Sequence, residues 1–270
     1  EPAGLDEAYL DVTGSEDIFG PAINLAQKIK ERIKKELNIT TSIGIASCKV
    51  VAKVASDLCK PDGLLEVAPG DERSFLSPLA AAQLPGVGKK TEQELKKLGI
   101  ATIGQLATTP VNPLEKHLGI MGVALHRYAN AIDERKVEAR GEAKSISRET
   151  TFAEDTLDRL FLEATLRYLC ERIGAELRYR NKQAKCIILK LRYADFETIS
   201  RRLTLKEASD SDEAIFAAAV QLLKKALSWK KKLVRLIGVG VSHLTYGKQL
   251  SLLDKSISRW ERLNRAIDHI

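Results

Sequence analysis

The sequence predicts an α+β protein built from several domains. Three observations carry this prediction: the chain has 270 residues, its hydrophobic period changes along its length, and its C-terminal part follows a strand, helix, strand, strand, helix, strand order. A chain of this length exceeds one ordinary core, since single domains usually span about 100–200 residues. We therefore expect a partial α/β unit, a small helical domain and a split βαβ domain.

The first unit, 1–68, alternates predicted strands and helices. Residues 5–13 alternate apolar and polar side chains as a strand does, and residues 20–37 have the spacing of an amphipathic helix. The unit continues with a predicted strand at 39–47, a helix from Val50 to Leu58 that is closed by Lys60-Pro61-Asp62-Gly63, and a short strand at 64–67. This order is typical of an α/β fold.

A helical domain is predicted over 69–132. Pro69-Gly70-Asp71 indicates a boundary, and residues 74–131 show only short helical patterns interrupted by glycine and proline. The charged, aperiodic stretch 133–143 then predicts a solvated linker.

The domain at 144–246 has the clearest pattern. Its predicted elements are a strand at 144–152, a helix at 157–179, strands at 184–193 and 197–205, a helix at 211–228 and a strand at 233–243. This βαββαβ order is typical of a four-stranded antiparallel sheet with two helices on one face. Residues 247–270 are expected to form a tail outside both cores.

Charge, hydrophobic runs and cysteine content favour some kinds of binding partner and argue against others. A net charge of +7 and a pI near 9.1 favour a polyanionic partner, although charge alone decides little. No apolar run reaches the roughly 18 residues needed to span a bilayer, so no membrane partner is expected. The four cysteines form no CxxC pair, which argues against thiolate metal sites and suits a reducing cytosol.

The most specific motif is Leu84-Pro85-Gly86-Val87-Gly88-Lys89-Lys90-Thr91, which precedes an amphipathic helix. Two nearby glycines allow a tight turn whose free N–H groups point at a phosphate, and the helix dipole favours negative charge there. The pattern resembles a helix-hairpin-helix, which holds nucleic-acid backbone without reading bases. The alternative is a well-capped helix with a glycine-rich start.

Two adjacent carboxylates, Asp6 and Glu7, lie in the first predicted strand. Since neighbouring strand residues point to opposite faces, Asp6 is expected beside Ala8, Leu10 and Val12 on an apolar, buried face. An unpaired charge there is costly, and a divalent cation such as Mg²⁺ removes that cost. Spacing alone favours the alternative, an acidic turn with Asp6 solvated.

A basic motif follows between Ile45 and Gly63. Lys49, Lys53 and Lys60 step by four and seven residues, so we expect them on one helical face. Such a row of ammonium groups can hold a triphosphate, each acting as a point charge. A solvated basic face is the alternative if the row stands alone.

Together these motifs resemble the Y-family of DNA polymerases. Residues 4–14 resemble that family's second catalytic motif, residues 47–63 its next palm motif, and residues 144–152 the start of its little-finger domain. The helix-hairpin-helix lies where the family's thumb follows its palm. The resemblance implies the C-terminal part of a palm (1–68), a thumb (69–132), a linker (133–143), a little finger (144–246) and a tail (247–270).

The resemblance assigns roles to motif residues. Asp6 would bind the catalytic metals, Glu7 the metal at the primer 3′ end, and Lys60 the incoming triphosphate. Implied DNA-backbone contacts are Gly86, Val87, Gly88 and Lys89 in the thumb, and Lys144, Arg148 and Arg235 in the little finger. Cys48 departs from the family, which commonly has Asn there.

The implied activity is translesion DNA synthesis by two-metal nucleotidyl transfer from a dNTP to the primer 3′-hydroxyl, with two Mg²⁺ ions. A further metal-binding carboxylate and the fingers are expected before residue 1, so we expect an incomplete portion that binds DNA but is inactive alone. We expect a monomer with primer-template DNA and dNTP as partners, in a bacterial-type cytoplasm and associated with the nucleoid. The alternative is a non-catalytic, polymerase-like DNA-binding or scaffold protein in DNA repair.

The tail carries an apolar cluster within Gln249-Leu250-Ser251-Leu252-Leu253. Exposed apolar clusters generally indicate a partner. The stretch resembles the peptide by which bacterial polymerases bind the sliding clamp, with Leu253 where Phe is more usual. The alternative is a strand extension or a leucine patch packed beneath Trp260 and Leu263.

Overall fold

The computed structural model of the chain describes residues 1–139, 141–229 and 232–246. The chain divides into two compact units, one ending at Arg140 and the next beginning at Gly141. None of the helices in the described ranges has the length and apolar character of a membrane span.

The first unit is mostly helical. Its elements are α1 (Glu16–Phe19), α2 (Ala22–Leu37), β1 (Ile43–Ile45), α3 (Lys49–Leu58), β2 (Leu64–Glu66), α4 (Glu72–Leu76), α5 (Lys89–Lys97), α6 (Ile103–Thr108), α7 (Val111–Leu118) and α8 (Ile120–Ala129). Strands β1 and β2 pair in parallel, with Ile43 opposite Leu64, and α3 connects them. The expected α/β unit and the short helices after it are therefore present.

One apolar core joins α3 to the short helices. On α3, Val50, Val51, Val54 and Ala55 are buried because they recur at the spacing of one helical face. They belong to the same cluster as Leu76, Leu84, Leu95, Ile103, Leu106, Leu114 and Leu125. The glycine-rich loop before α5 is consequently held in place by the same core as α3.

The strand predicted at 5–13 does not form. An isolated antiparallel bridge joins Pro2 to Ala8, and the amides of Ala3 and Gly4 donate to the Glu7 carbonyl at 2.8 and 3.2 Å to close a turn. The alternating pattern is that of a strand, but a strand needs a neighbouring strand to satisfy its backbone groups. Within the described ranges, no strand pairs with 9–12.

The second unit has the predicted βαββαβ order. Its elements are β3 (Ser145–Thr156), α9 (Arg159–Tyr179), β4 (Lys182–Tyr193), β5 (Thr198–Ser209), α10 (Asp212–Trp229) and β6 (Val234–Tyr246). The sheet order is β3, β6, β4, β5, and every neighbouring pair is antiparallel. The predicted four-stranded antiparallel sheet is thus confirmed.

Helices α9 and α10 cover one face of this sheet. On β4, Ile187, Leu189 and Leu191 are buried in a core that also contains residues of both helices, while the residues between them are more exposed. The two-residue period of a strand therefore separates a helix-covered face from an open face. Helix α9 begins where the Asp158 side chain accepts from the amides of Leu160 and Phe161.

Candidate active site and DNA-binding surfaces

Asp6 and Glu7 lie at an exposed turn. Asp6, Ala8 and Leu10 are all exposed, so the prediction that Asp6 lies on a buried apolar face is wrong. The physical reason is that no second layer covers this segment among the residues described. The structure instead has the alternative arrangement, a solvated acidic turn.

Glu7 connects this turn to α3 through a chain of ion pairs. Lys53 Nζ lies 2.6 Å from Glu7 Oε1 and 3.1 Å from Asp57 Oδ1, and Lys60 Nζ lies 2.6 Å from the same Asp57 oxygen. We call Glu7, Lys53, Asp57 and Lys60 the acid–lysine cluster. It places one member of the carboxylate pair next to the Lys53 ammonium group and connects it through Asp57 to Lys60.

Both central members of the acid–lysine cluster are held in their charged forms. Burial opposes the charge of Lys53, but hydrogen bonds to Glu7 and Asp57 outweigh it and raise the pKa of the ammonium. Burial likewise opposes ionisation of Asp57, and hydrogen bonds from Lys60 and Lys53 outweigh it and lower the pKa of the carboxyl. Lys53 and Asp57 therefore stay oppositely charged at neutral pH.

The expected single face of three lysines does not form. Lys49 is 7% exposed, is paired with the Glu1 carboxylate, and lies 5.4 Å from the centre of the Tyr9 ring. Lys60 lies beyond α3, which ends at Leu58, because the residue before a proline disfavours helical backbone. Lys53 and Lys60 come together through Asp57 instead.

The linker prediction also needs a correction at its first residue. The side chain of Asp133 is 1% exposed, and it accepts from the Val50 amide at 3.1 Å and from Arg135 Nε and Nη2 at 2.7 Å each. Burial opposes ionisation, but these hydrogen bonds lower the pKa of Asp133. A charged residue in an aperiodic stretch is therefore buried here, because it caps the start of α3.

Asp6 and Glu7 provide the hard oxygen donors that Mg²⁺ prefers. In the described part of the chain, however, no group of three or more His, Cys, Asp or Glu side chains is placed to hold a metal. Asp6 and Glu7 would supply two of the ligands of a divalent-metal site by the chemistry of their carboxylates.

The glycine-rich loop has the geometry of a phosphate-binding turn. Gly86 has a φ of 94°, a conformation that favours glycine, while Gly88 ends the loop as the residue before α5. No side chain caps the first turn of α5, and Gly88 has no atom within 4 Å of the place where a Cβ would lie. The first amides of α5 are therefore accessible, with Lys89 exposed beside them.

The open face of the little-finger sheet is a basic surface that the motifs did not reveal. Its central rows, read across β3, β6, β4 and β5, are Ser147, Gly240, Ile188, Arg202; Glu149, Gly238, Lys190, Ser200; and Thr151, Leu236, Arg192, Thr198. We call these three rows the open face. Its signal in the sequence is a set of polar and basic residues at alternate positions of β4 and β5.

The three little-finger residues implied by the resemblance do not share that face. Lys144 precedes β3, and Arg148 lies opposite Val239 on the helix-covered side, with Nη2 3.6 Å from Glu176 Oε2. Arg235 Nη1 is 3.4 Å from Asp155 Oδ1, and its guanidinium lies 4.9 Å from the centre of the Phe196 ring. Gln249, Leu250, Leu252 and Leu253 lie outside the described residues.

Three family models match the chain. The impB/mucB/samB family model matches residues 1–57, and the C-terminal domain model of that family matches 143–252. A thumb-domain model described as DNA polymerase-iota matches 82–133, which contains the glycine-rich loop.

Similar proteins are DNA polymerases. "DNA polymerase IV" of Dehalococcoides mccartyi (strain CBDB1) is 47% identical over 270 residues, which is 100% of this chain and 69% of that protein. "DNA polymerase IV" of Methanoculleus marisnigri is 42% identical over 92% of this chain and 68% of that protein.

A solved Y-family DNA polymerase chimera of Dbh and Dpo4 matches with a TM-score of 0.79 and 30% identity, covering 92% of this chain and 71% of the chimera. An insertion ternary complex of Dbh DNA polymerase matches with a TM-score of 0.57 and 28% identity, over 88% of this chain and 69% of that one.

On the folds and surfaces described above, these matches define a template-directed DNA polymerase of the Y-family class. Enzymes of this class generally depend on divalent metal, and they act on primer-template DNA and nucleotides. The chain belongs to the DNA polymerase IV family, whose activity is translesion DNA synthesis. The predicted Y-family membership is confirmed, and the enzyme is favoured over the non-catalytic alternative.

Proposed function

We propose that Asp6 and Glu7 are the metal-binding carboxylates of nucleotidyl transfer in this chain and that Lys60 binds the incoming triphosphate. The observation that carries the proposal is the acid–lysine cluster, in which Glu7 is hydrogen bonded to Lys53 at 2.6 Å and Lys60 shares Asp57. One member of the proposed metal-binding pair, Glu7, and the proposed triphosphate-binding Lys60 thus belong to the same chain of ion pairs.

Each residue has a distinct task in this proposal. Asp6 and Glu7 would hold Mg²⁺, which when bound supplies positive charge for activating the primer 3′-hydroxyl and for the pyrophosphate leaving group. Lys60, which is 54% exposed, can exchange Asp57 for a phosphate oxygen with little desolvation. Lys53 stays between Glu7 and Asp57 and orients both carboxylates.

Two surfaces are proposed to bind primer-template DNA. In the thumb, Gly86, Val87 and Gly88 present backbone amides to a phosphate, and Lys89 adds charge beside them. In the little finger, the proposed contacts are Lys144, Arg148, Arg235 and, on the open face, Arg192 and Arg202. Phosphate contacts of this kind hold DNA of any sequence, as a polymerase requires.

The central test replaces Asp6 or Glu7 with alanine in the intact protein. Primer extension should be abolished, because the metal ligands are lost, while binding to a primer-template duplex should persist. Asp17→Ala, an exposed acid on α1, is the matched control and should extend primers like the parent. Extension by the Asp6→Ala protein at the parent rate would overturn the assignment.

We also propose that Gln249, Leu250, Leu252 and Leu253 bind a sliding clamp. The support is the sequence resemblance stated above, and tethering would raise the local concentration of enzyme at the primer end. Replacing Gln249, Leu252 and Leu253 with alanine should leave clamp-free extension unchanged and remove stimulation by the clamp. Equal stimulation of the variant and the parent would contradict the proposal.

A further inference from the structure

We propose that Glu149 limits the grip of the little finger on DNA by holding Lys190 away from the phosphate backbone. This inference rests on the proposed DNA-binding role of the open face. It adds to that surface an acidic residue that lowers DNA affinity, whereas the neighbouring basic residues raise it.

The contact between these residues crosses a whole strand. Glu149 is on β3 and Lys190 is on β4, and β6 lies between them with Gly238 in register with both. Lys190 Nζ is nevertheless 2.7 Å from Glu149 Oε2. Side chains of residues two strands apart ordinarily face an intervening side chain, so this pair depends on the residue between them.

Gly238 makes the crossing possible. A Cβ placed at 238 would lie 2.8 Å from the Glu149 Cβ, which is closer than real Cβ atoms approach. With no side chain at 238, Glu149 occupies the space above β6 and reaches Lys190. The register of three strands and the glycine therefore point to the same paired arrangement.

Stability does not account for this pair. The side chains of Lys190 and Glu149 are 35% and 48% exposed, and exposed ion pairs contribute little to folding. The pair should affect the binding of a polyanion more than it affects folding. Glu149 is the acid in the three described rows, and it neutralises one of their three cations. A phosphate that approaches Lys190 must also approach the Glu149 carboxylate.

The paired lysine contrasts with Arg202 in the neighbouring row. Arg202 lies opposite Ile188 and is exposed, with no acid in its own row across the described sheet. When Arg202 contacts a phosphate, counterions should be released from the DNA. Lys190 should release few counterions as long as it is paired with Glu149. Replacing the Glu149 carboxylate with an uncharged group should consequently allow Lys190 to contact a phosphate.

The experiment measures binding of the intact protein to a fluorescein-labelled primer-template duplex by anisotropy, over a range of NaCl concentrations. Glu149→Gln keeps the shape of the side chain and should tighten binding roughly two- to five-fold. It should also steepen the dependence of log K on log salt by about one unit. Lys190→Met should change binding less than about two-fold in the parent, but should cancel the gain in Glu149→Gln.

Two controls separate this inference from the surface on which it rests. Glu163→Gln removes a comparable acid on α9, where Glu163 Oε1 is 2.7 Å from Arg159 Nε, and should leave both affinity and salt slope unchanged. Arg202→Met should weaken binding and reduce the salt slope by about one unit. If Arg202→Met binds like the parent, the proposed DNA-binding role of the open face is wrong.

Two results would overturn the role of Glu149 while leaving the open face intact. One is unchanged affinity of Glu149→Gln alongside a weakened Arg202→Met. The other is a loss in Lys190→Met as large as that in Arg202→Met, which would mean that Lys190 already contacts DNA in the parent. Circular dichroism of each variant checks that the sheet is intact.

Discussion

The start of α3 and the start of α5 solve the same physical problem in opposite ways. Each helix has first-turn amides without partners inside the helix. At α3 the Val50 amide donates to the buried Asp133 carboxylate, 83 residues along the chain. At α5 the preceding residue is Gly88, and no side chain provides a cap. The difference separates a start that stabilises the fold from one that remains available to a ligand.

The largest effect on stability is expected at the capped start of α3. Asp133→Ala should lower the free energy of unfolding by about 1–3 kcal/mol, because the Val50 amide loses a buried acceptor. Urea unfolding of the parent and the variant measures the difference.

The same carboxylate gives this prediction a pH signature. The folded pKa of Asp133 is lowered, so its contribution is complete above the pKa of an ordinary carboxyl, about 3.9, and is lost as pH falls through the lower folded value. The difference between parent and Asp133→Ala should thus be constant at neutral pH and shrink below about pH 4. A difference that grows on acidification would contradict the cap.

At the uncapped start of α5, adding a cap should stabilise the helix but weaken DNA binding. Gly88→Asp supplies the missing cap, so it should raise helix stability by a few tenths of a kcal/mol and weaken DNA binding by about ten-fold through repulsion of phosphate. Gly88→Val, at a position with open space and a φ of −86°, should also weaken binding, and equally for all DNA sequences. Fluorescence anisotropy with several duplexes measures both effects.

A loss confined to one DNA sequence would indicate base reading and would contradict the helix-hairpin-helix interpretation. Lys89→Met sharpens the comparison further, since removal of one phosphate contact should reduce the salt slope by about one unit.

The sequence predicted the little finger more completely than the first unit, for a physical reason. In β4, Ile187, Leu189 and Leu191 alternate with partly exposed positions, because their partner strands and covering helices are all within the described chain. At 5–13 the same alternation produced a turn, since periodicity specifies a face but not a partner for that face. Alternation therefore predicts a strand correctly only where a described strand pairs with it.

The sequence predicted which residues form the candidate site but not how they are arranged in space. Residue types identified Asp6, Glu7 and Lys60, yet spacing placed Lys49 on a basic face where it is in fact buried against Glu1. The cap from Asp133 to Val50 and the pair between Glu149 and Lys190 join positions 83 and 41 residues apart. Such contacts depend on tertiary structure, which one-dimensional periodicity does not contain.

The acid–lysine cluster is the proposed binding site of the triphosphate, with Lys60 as its phosphate-binding residue. Calorimetric titration of the Mg²⁺-dNTP complex into the protein on a primer-template duplex with a non-extendable 3′ end tests it directly. Lys60→Met should weaken dNTP binding about ten-fold while leaving duplex affinity unchanged. Lys34→Met, which removes a lysine in the last turn of α2, should bind dNTP like the parent. Equal dNTP affinity of Lys60→Met and the parent would contradict the account.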